Sequence, residues 1–363
     1  MIGIDVRKYF DFGIGTYIQN LLSVYDKQNN HPRTLFVSPN DESLIRQKHQ
    51  GTIVANLYSK YSLQELFLFS RQITDHKIDL FHVPHYTLPY FLKCKSVVTI
   101  HDLIHIRFPE YFTFAQRMYA KSMVKHACSS ADIILVDSEF TRQDLLTDFA
   151  ISPDRVKTIY LGVSDNYSTD VTDIEKKSFL NKYKLTKPYI VYVGNIKPHK
   201  NIPVLLKAFA QSGLHHAVDL VFVGGNIESN AKLMNLVHEY KISTSTKNLG
   251  RISEKELIAA YQCASLNVLP SRYEGFGFSI LEAMKAGIPV IGANAASIPE
   301  VMGNAGILFQ PENSDELSEA LKNVIEDSQV RKDLITRGFE NVKKYSWERC
   351  ASETMHVYQS LLS

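Results

Sequence analysis

Two short apolar runs, residues 266–269 and 288–291, are joined by a glycine-bearing loop, 272–278, and a helical stretch, 279–286. Pro270 and Ser271 end the first run, and Gly287 and Pro289 stop the helix. A strand, a loop, a helix and a second strand in that order form a crossover unit. Parallel strands need such a connection, because a tight turn cannot return the chain to the same end of the sheet. The stretch therefore points to a parallel α/β sheet. It also carries two carboxylates, Glu274 in the loop and Glu282 in the helix. Gly275 and Gly277 beside Glu274 let backbone amides face a ligand. Ser279-x-x-Glu282 fits a capping box, in which the glutamate closes on its own helix start. Capping and ligand binding stay equally open for Glu282 on spacing alone.

The rest of the chain repeats this grammar. Residues 2–6 read as a strand, 7–15 as a loop, and 16–25 as a helix with Tyr17, Ile18, Leu21, Leu22 and Tyr25 on one face. Gly13 and Gly15 fall at the strand-to-helix turn, which suits either a phosphate or a plain tight turn. Further strands are predicted at 34–38, 51–57, 80–83, 96–100, 133–136 and 156–159. Helices are predicted at 63–73 and at 138–149, the latter capped by Ser138. The polar stretch 167–184 shows no strand pattern and reads as a linker or connecting helix. Strands then resume at 189–193, 219–223, 265–269 and 307–309, with helices at 202–210, 232–240, 254–261 and 314–325. Such alternation predicts doubly wound α/β units, here two of similar size, with a ligand in the cleft between them.

Several classes are disfavoured. The formal net charge of +2 gives no support to a bulk nucleic-acid binder. The four cysteines, Cys94, Cys128, Cys263 and Cys350, form no C-x-x-C pair, as expected of reduced thiols in a cytoplasmic protein. No segment approaches the roughly 20 apolar residues of a membrane span, and Asp5 and Arg7 come too early for a signal peptide. Neither G-x-G-x-x-G nor G-x-x-x-x-G-K-[ST] occurs, which speaks against a dinucleotide enzyme and a P-loop ATPase. There is no Asp-x-Asp pair to carry a metal to a diphosphate.

In open parallel sheets ligands sit beyond the carboxyl ends of the strands. His85 and the pair His101–Asp102 follow predicted strands in the first half. In the second half the loop GNIKPHKN places Lys200, with Lys197 and His199, between a strand and a helix. A cation beside helix amides suits a phosphate or diphosphate.

Taken together, these segments resemble a known family. EGFGFSILEAMKAGIPVI resembles the signature of retaining glycosyltransferases of the GT-B fold, family 4, with Glu274 and Glu282 on its E-x7-E motif. GIGTYIQNLL, VVTIHDL, LVDSEFTRQDL, YVGNIKPHKNIPVLLKAF, LGRISEKELIAAY and YSWERCASETMHVY have counterparts too, so the likeness covers nearly the whole chain. It implies two Rossmann-like, doubly wound parallel-sheet domains facing a cleft. Residues 1–168 would bind the acceptor, 169–346 would bind a nucleotide-sugar donor, and a last helix, 347–363, would pack back on the first domain.

By the same resemblance Glu282 would hold the donor ribose, and Glu274 with Gly275, Phe276 and Gly277 the transferred sugar. Lys200 would bind the diphosphate, helped by the Gly15 loop, and His101 would lie at the reacting sugar. Arg251 and Ile252 would flank the base, while Gly13, His85 and Asp102 would line the acceptor side. Asn195 and His199 complete the donor set. Asn195 stands where many members carry a second cation, so either His199 supplies a donor or Lys200 acts alone. The GN-x-x-PHKN form resembles a subset that often transfers mannose.

The expectation is thus a retaining, metal-independent hexosyltransferase without a cofactor beyond its nucleotide-sugar co-substrate. Its donor would be GDP-mannose and its acceptor a glycan or lipid-linked chain in surface polysaccharide synthesis. UDP-glucose or UDP-N-acetylglucosamine as donor, or a GT-B-fold nucleotide-sugar epimerase, are the alternatives. Arg117, Lys121 and Lys125 recur at helical spacing within 111–126, which fits either peripheral contact with an anionic membrane or an ordinary solvated face.

Overall fold

The structure, a computed structural model, describes residues 1–28, 32–58, 60 and 62–363. The chain divides into two compact units, Met1–Gly162 with Ser346–Ser363, and Val163–Tyr345. The first division falls at Gly162, ahead of residue 168 where the sequence drew it.

In the first unit the strands are β1 (Ile2–Asp5), β2 (Arg33–Val37), β3 (Thr52–Ala55), β4 (Leu80–Val83), β5 (Lys95–Ile100), β6 (Ile133–Val136) and β7 (Val156–Thr158). The helices are α1 (Phe12–Gln28), α2 (Glu42–Lys48), α3 (Leu63–Asp75), α4 (Ile104–Arg107), α5 (Phe114–Ser130) and α6 (Glu139–Asp148). The sheet order is β3-β2-β1-β4-β5-β6-β7, with every pairing parallel. β4 and most of β5 are buried along their length, as expected when helices cover both faces. The order reverses between β1 and β4. A topological switch point opens a crevice there at the carboxyl ends.

In the second unit the helices are α7 (Asp173–Lys182), α8 (Ile202–Gln211), α9 (Ala231–Glu239), α10 (Glu254–Gln262), α11 (Phe278–Lys285), α12 (Ile298–Met302), α13 (Ser314–Glu326) and α14 (Ser328–Val342). Its strands are β8 (Tyr189–Gly194), β9 (Asp219–Gly224), β10 (Thr246–Gly250), β11 (Leu266–Leu269), β12 (Val290–Ala293) and β13 (Ile307–Phe309). They run β10-β9-β8-β11-β12-β13, all parallel, and reverse between β8 and β11. Each unit is therefore a Rossmann-like parallel sheet between helices.

The last helix, α15 (Trp347–Leu362), belongs to the first unit. Its buried face holds Trp347, Cys350, Ala351, Thr354 and Tyr358, at helical spacing. The Tyr358 hydroxyl lies 2.5 Å from His82 Nδ1 at the middle of β4. Gly162 lies so close to Ser346 and Trp347 that any Cβ would collide with them.

Local departures from the sequence reading have physical causes. α1 starts at Phe12, so Gly13 and Gly15 lie in its first turns and not in the preceding loop. A Cβ on Gly15 would stand 2.5 Å from the Tyr9 carbonyl oxygen, because the 7–11 loop folds down onto the helix. The second strand of the opening unit begins at Val290, since Gly287 at φ 78° still belongs to the turn. The polar stretch 167–184 is a 3-10 turn, Asp165–Ser168, followed by α7. A Thr172–Glu175 capping box starts that helix, and Phe179 anchors it as its buried residue. Among the described residues no helix is long and apolar enough to cross a membrane.

Candidate functional site

Two loops meet at the switch point of the second unit. The one after β8 passes through a 3-10 turn, Pro198–Lys200, and then Asn201 in a left-handed conformation at φ 57°. Asn201 is held there by its amide, which donates to the Pro311 carbonyl at 2.6 Å. The other loop follows β11 and ends at Gly277, φ 99°, the N-cap of α11. The Arg272 N–H donates to the His199 carbonyl at 2.8 Å and joins the two loops.

The result is a close ion pair. Lys200 Nζ lies 2.6 and 2.8 Å from the two oxygens of Glu274, and the Ser271 hydroxyl donates to the same carboxylate at 2.6 Å. Both charged side chains are only 13% exposed. The Ser297 hydroxyl donates to the Glu274 and Phe276 carbonyls at 2.9 and 3.1 Å, which fixes the loop from behind. A pair this dry repays its desolvation only through good geometry, and either partner left alone is costly.

His199 does not add a cation. Burial first, then Lys200, push its pKa down to about 4 against an opposing pull from Glu274, with a lesser push from Lys197. It is neutral near pH 7. Asn195 accepts the Tyr192 hydroxyl on its carbonyl at 2.7 Å, while its side-chain Oδ1 is buried without a hydrogen-bond partner. Arg251 and Ile252 follow Gly250 at the end of β10, two strands out from β8 along the same edge.

The capping box of Glu282 does not form. α11 begins at Phe278 with no side-chain cap, which puts Ser279 inside the helix. The Glu282 carboxylate accepts the Tyr261 hydroxyl at 2.8 Å, and the Tyr167 hydroxyl lies near enough to favour its charged form. Burial raises its pKa, the two hydroxyls work the other way, and Glu254 adds to the rise.

At the carboxyl edge of the first unit His101 Nδ1 lies 2.6 Å from Asp137 Oδ2, the residue directly after β6. Burial opposes charge on His101, but Asp137, Asp102 and the Pro84 carbonyl outweigh it, so the pKa is raised. Its Nε2 is buried and makes no hydrogen bond of normal geometry. The Tyr17 ring stands edge-on to His101 at 5.2 Å. His82 is a structural neighbour, bonded to Thr99 at 2.8 Å and to Tyr358, with a pKa driven down to about 3 chiefly by burial. His85 is buried and likewise held neutral by burial, then Lys8 and His101. Asp102 accepts the Ile104 N–H at 3.0 Å and so shapes the start of α4. Gly13 is exposed in the first turn of α1.

The structure thus brings Lys200, His199 and Glu274 together, and gives Glu282 and His101 partners that the sequence reading did not contain. Asp137 carried a signal, a polar residue directly after an apolar strand, the same placement that marked His101 and Asp102. Tyr167 and Tyr261 carried none. On α5, Arg117, Lys121 and Lys125 are exposed, with Phe114 and Met118 beside them at 74% and 51% exposure. Among the described residues no group of three or more His, Cys, Asp or Glu gathers to hold a metal ion.

Comparison with known proteins bears on what this geometry serves. The family model described as Glycosyl transferases group 1 matches residues 173–341, and the one described as Glycosyltransferase Family 4 matches residues 13–167. The O-antigen chain mannosyltransferase B of Escherichia coli is 32% identical over 292 residues, covering 80% of this chain and 76% of that protein. The serotype-specific mannosyltransferase WbdA, also of Escherichia coli, is 28% identical over 274 residues, 74% of this chain but only 34% of WbdA. Among solved structures, Anabaena HepE in complex with UDP and glucose superposes with a TM-score of 0.81 at 18% identity, covering 99% of both chains. That likeness shows the GT-B fold.

Proposed function

The chain belongs to glycosyltransferase family 4, a GT-B-fold glycosyltransferase, and on that premise we propose that it transfers mannose from GDP-mannose, with retention, to a glycan or lipid-linked acceptor in surface polysaccharide synthesis. The observation that carries the reading is the buried Lys200–Glu274 pair at the switch point of the second unit. The mannosyltransferase names of its relatives favour the sugar.

In this reading a donor diphosphate takes Lys200 and frees Glu274 for hydroxyls of the transferred sugar. Breaking the anomeric C–O bond places negative charge on the leaving diphosphate and positive charge on the sugar. A fixed cation and amides aimed at the leaving oxygens stabilise that charge; one such group contributes about 3–4 kcal/mol. Because His199 is neutral, it adds no charge here, and in this reading Lys200 meets the leaving group. Glu282 holds the ribose. In the first unit His101, backed by Asp137, contacts the reacting sugar and acceptor, with His85 and Asp102 along the same edge.

With the donor bound, Glu274 keeps the Ser271 hydroxyl and accepts from hydroxyls of the transferred sugar, so in this reading it binds the sugar and is not a covalent nucleophile. The acceptor hydroxyl therefore attacks from the leaving-group face and gives its proton to a donor phosphate oxygen. A trapped sugar–enzyme adduct would contradict this step. The exposed face of α5, apolar at Phe114 and Met118 and basic at Arg117, Lys121 and Lys125, serves as a peripheral contact with an anionic membrane that holds the acceptor. Liposome co-sedimentation that is unchanged when the three charges are removed would dismiss that contact.

A panel of GDP-mannose, UDP-glucose and UDP-N-acetylglucosamine, assayed for turnover and for product stereochemistry, tests the whole reading. Preference for GDP-mannose with an α-linked product supports it. Turnover of a UDP-sugar alone corrects the donor, interconversion of nucleotide-sugar epimers makes it an epimerase, and no turnover or binding refutes the transferase mechanism.

A further inference from the structure

Glu282 presents an unusual problem. It is set deep between helices, with a small part of its surface reachable, and among the described residues it makes no ion pair. The neighbouring charged group is another acid, Glu254. What faces the carboxylate is a pair of phenols. Tyr261 on α10 donates at 2.8 Å, and Tyr167, in the 3-10 turn at the start of the second unit, stands beside it with its hydroxyl near the same carboxylate. Tyr261 is fully buried and Tyr167 nearly so, and their rings pack edge-on at 5.9 Å.

The turn that carries Tyr167 is pinned from several sides. Gln262 donates to the Tyr167 and Thr169 carbonyls at 3.3 and 2.8 Å. Lys285, on the same helix as Glu282, pairs with Asp165 at 2.7 Å, and Asn166 donates to Glu254 at 3.1 Å. Both hydroxyls are therefore placed before any ligand arrives. A carboxylate has about four lone-pair sites. Tyr261 occupies one from the protein side, which leaves the others for outside donors.

We propose that Tyr261, braced by the ring of Tyr167, is a positioning residue for the nucleotide donor: its hydroxyl holds an inner lone pair of Glu282 and aims the outer ones at two adjacent hydroxyls of a single ligand. The inference rests on the reading of Glu282 as the carboxylate that binds the donor ribose. It also explains how a dry, cation-free acid works. An ionised carboxylate accepts from both hydroxyls of a diol, whereas a protonated one offers fewer acceptor sites. The phenolic hydroxyls work against the burial that raises its pKa, although burial still outweighs them.

The test is calorimetry of GDP, UDP and their 2′-deoxy analogues on the full chain, as wild type, Tyr261→Phe, Tyr167→Phe, Glu282→Gln and Tyr261→Phe/Glu282→Gln, from mildly acidic to neutral pH. Phenylalanine keeps each ring packed, and thermal melting checks the fold. Tyr261→Phe should weaken the better nucleotide about 10-fold, the scale of one hydrogen bond to a charged group, and Tyr167→Phe, which keeps the bracing ring, should weaken it less. The pH at which binding is half lost should move up by about one unit. The loss should vanish in the Glu282→Gln background and should not add to the loss on the 2′-deoxy analogue. An equal loss in both backgrounds, or no loss, overturns the positioning role. If Glu282→Gln alone leaves nucleotide affinity unchanged, the ribose reading falls, and that outcome is read from a separate arm.

Discussion

At the carboxyl edge of the seven-stranded sheet the central charged groups are His101 and Asp137, 2.6 Å apart; at the carboxyl edge of the six-stranded sheet they are Lys200 and Glu274, also 2.6 Å apart. Both pairs are nearly dry, and both lie beyond strands next to or near a switch point. Their chemistry differs. A histidine changes charge near neutral pH, while a lysine ammonium keeps its charge there. A leaving diphosphate is negative at every working pH and is best met by a permanent cation. A hydroxyl acceptor and a sugar ring call for a group that adjusts its hydrogen bonds. The difference teaches that two sheets of one topology class differ in chemistry through the residues at their strand ends, and not through the sheets themselves.

The largest effect should come from removing the permanent cation. Lys200→Ala strands Glu274 in a dry site and, in the proposed mechanism, takes away the charge that meets the leaving group. Donor turnover should fall about 1000-fold, and the melting transition should show a stability loss of about 3–5 kcal/mol. If turnover falls less than about 10-fold, Lys200 is not the diphosphate cation. Next in size is Gly15→Ala, where the new Cβ would push against the Tyr9 carbonyl. It should cost about 1–3 kcal/mol by overpacking, seen in thermal or denaturant unfolding. The Glu282→Gln variant should follow, weakening nucleotide binding about 10-fold while melting close to wild type.

The histidine side gives the smaller and pH-dependent effects. His101 has a raised pKa in the folded state, so its pairing with Asp137 stabilises fully below the ordinary value near 6.5. That contribution is lost as pH rises through the higher folded value. In Asp137→Asn the alkaline decline in melting temperature should flatten. His82 runs the other way. Its pKa is lowered to about 3, so its neutral, Tyr358-bonded state stabilises above pH 6.5 and is lost as pH falls toward about 3. Acid melting curves of the wild type should show this loss, and His82→Gln should make the slope shallower. Equal slopes would remove His82 from the account.

Much of the architecture was legible because it is written in local apolar patterning. β4, β6 and β13 fall on the apolar runs that predict them, and Ser138 caps α6 by accepting from the Thr141 N–H. What was not legible depends on distant residues meeting. Gly15 looked like a turn glycine, but it serves a helix onto which the Tyr9 carbonyl folds. Ser279-x-x-Glu282 looked like a cap, but Gly277 at φ 99° starts the helix early enough to put Ser279 inside it. Glu282 meets Tyr261, 21 positions away, and His101 meets Asp137, 36 positions away. No spacing rule links such pairs. Only the sheet order brings Asp137 beside His101, because β5 and β6 are neighbours.

The most direct test of the central claim is a ratio of turnover rates in Lys200→Ala against wild type, for GDP-mannose and for α-mannosyl fluoride. Fluoride leaves without a diphosphate for Lys200 to neutralise. The account predicts a loss of about 1000-fold on GDP-mannose and little loss on the fluoride. An equal loss on both donors would show that Lys200 acts on the fold or the sugar, and would contradict its assignment to the leaving group.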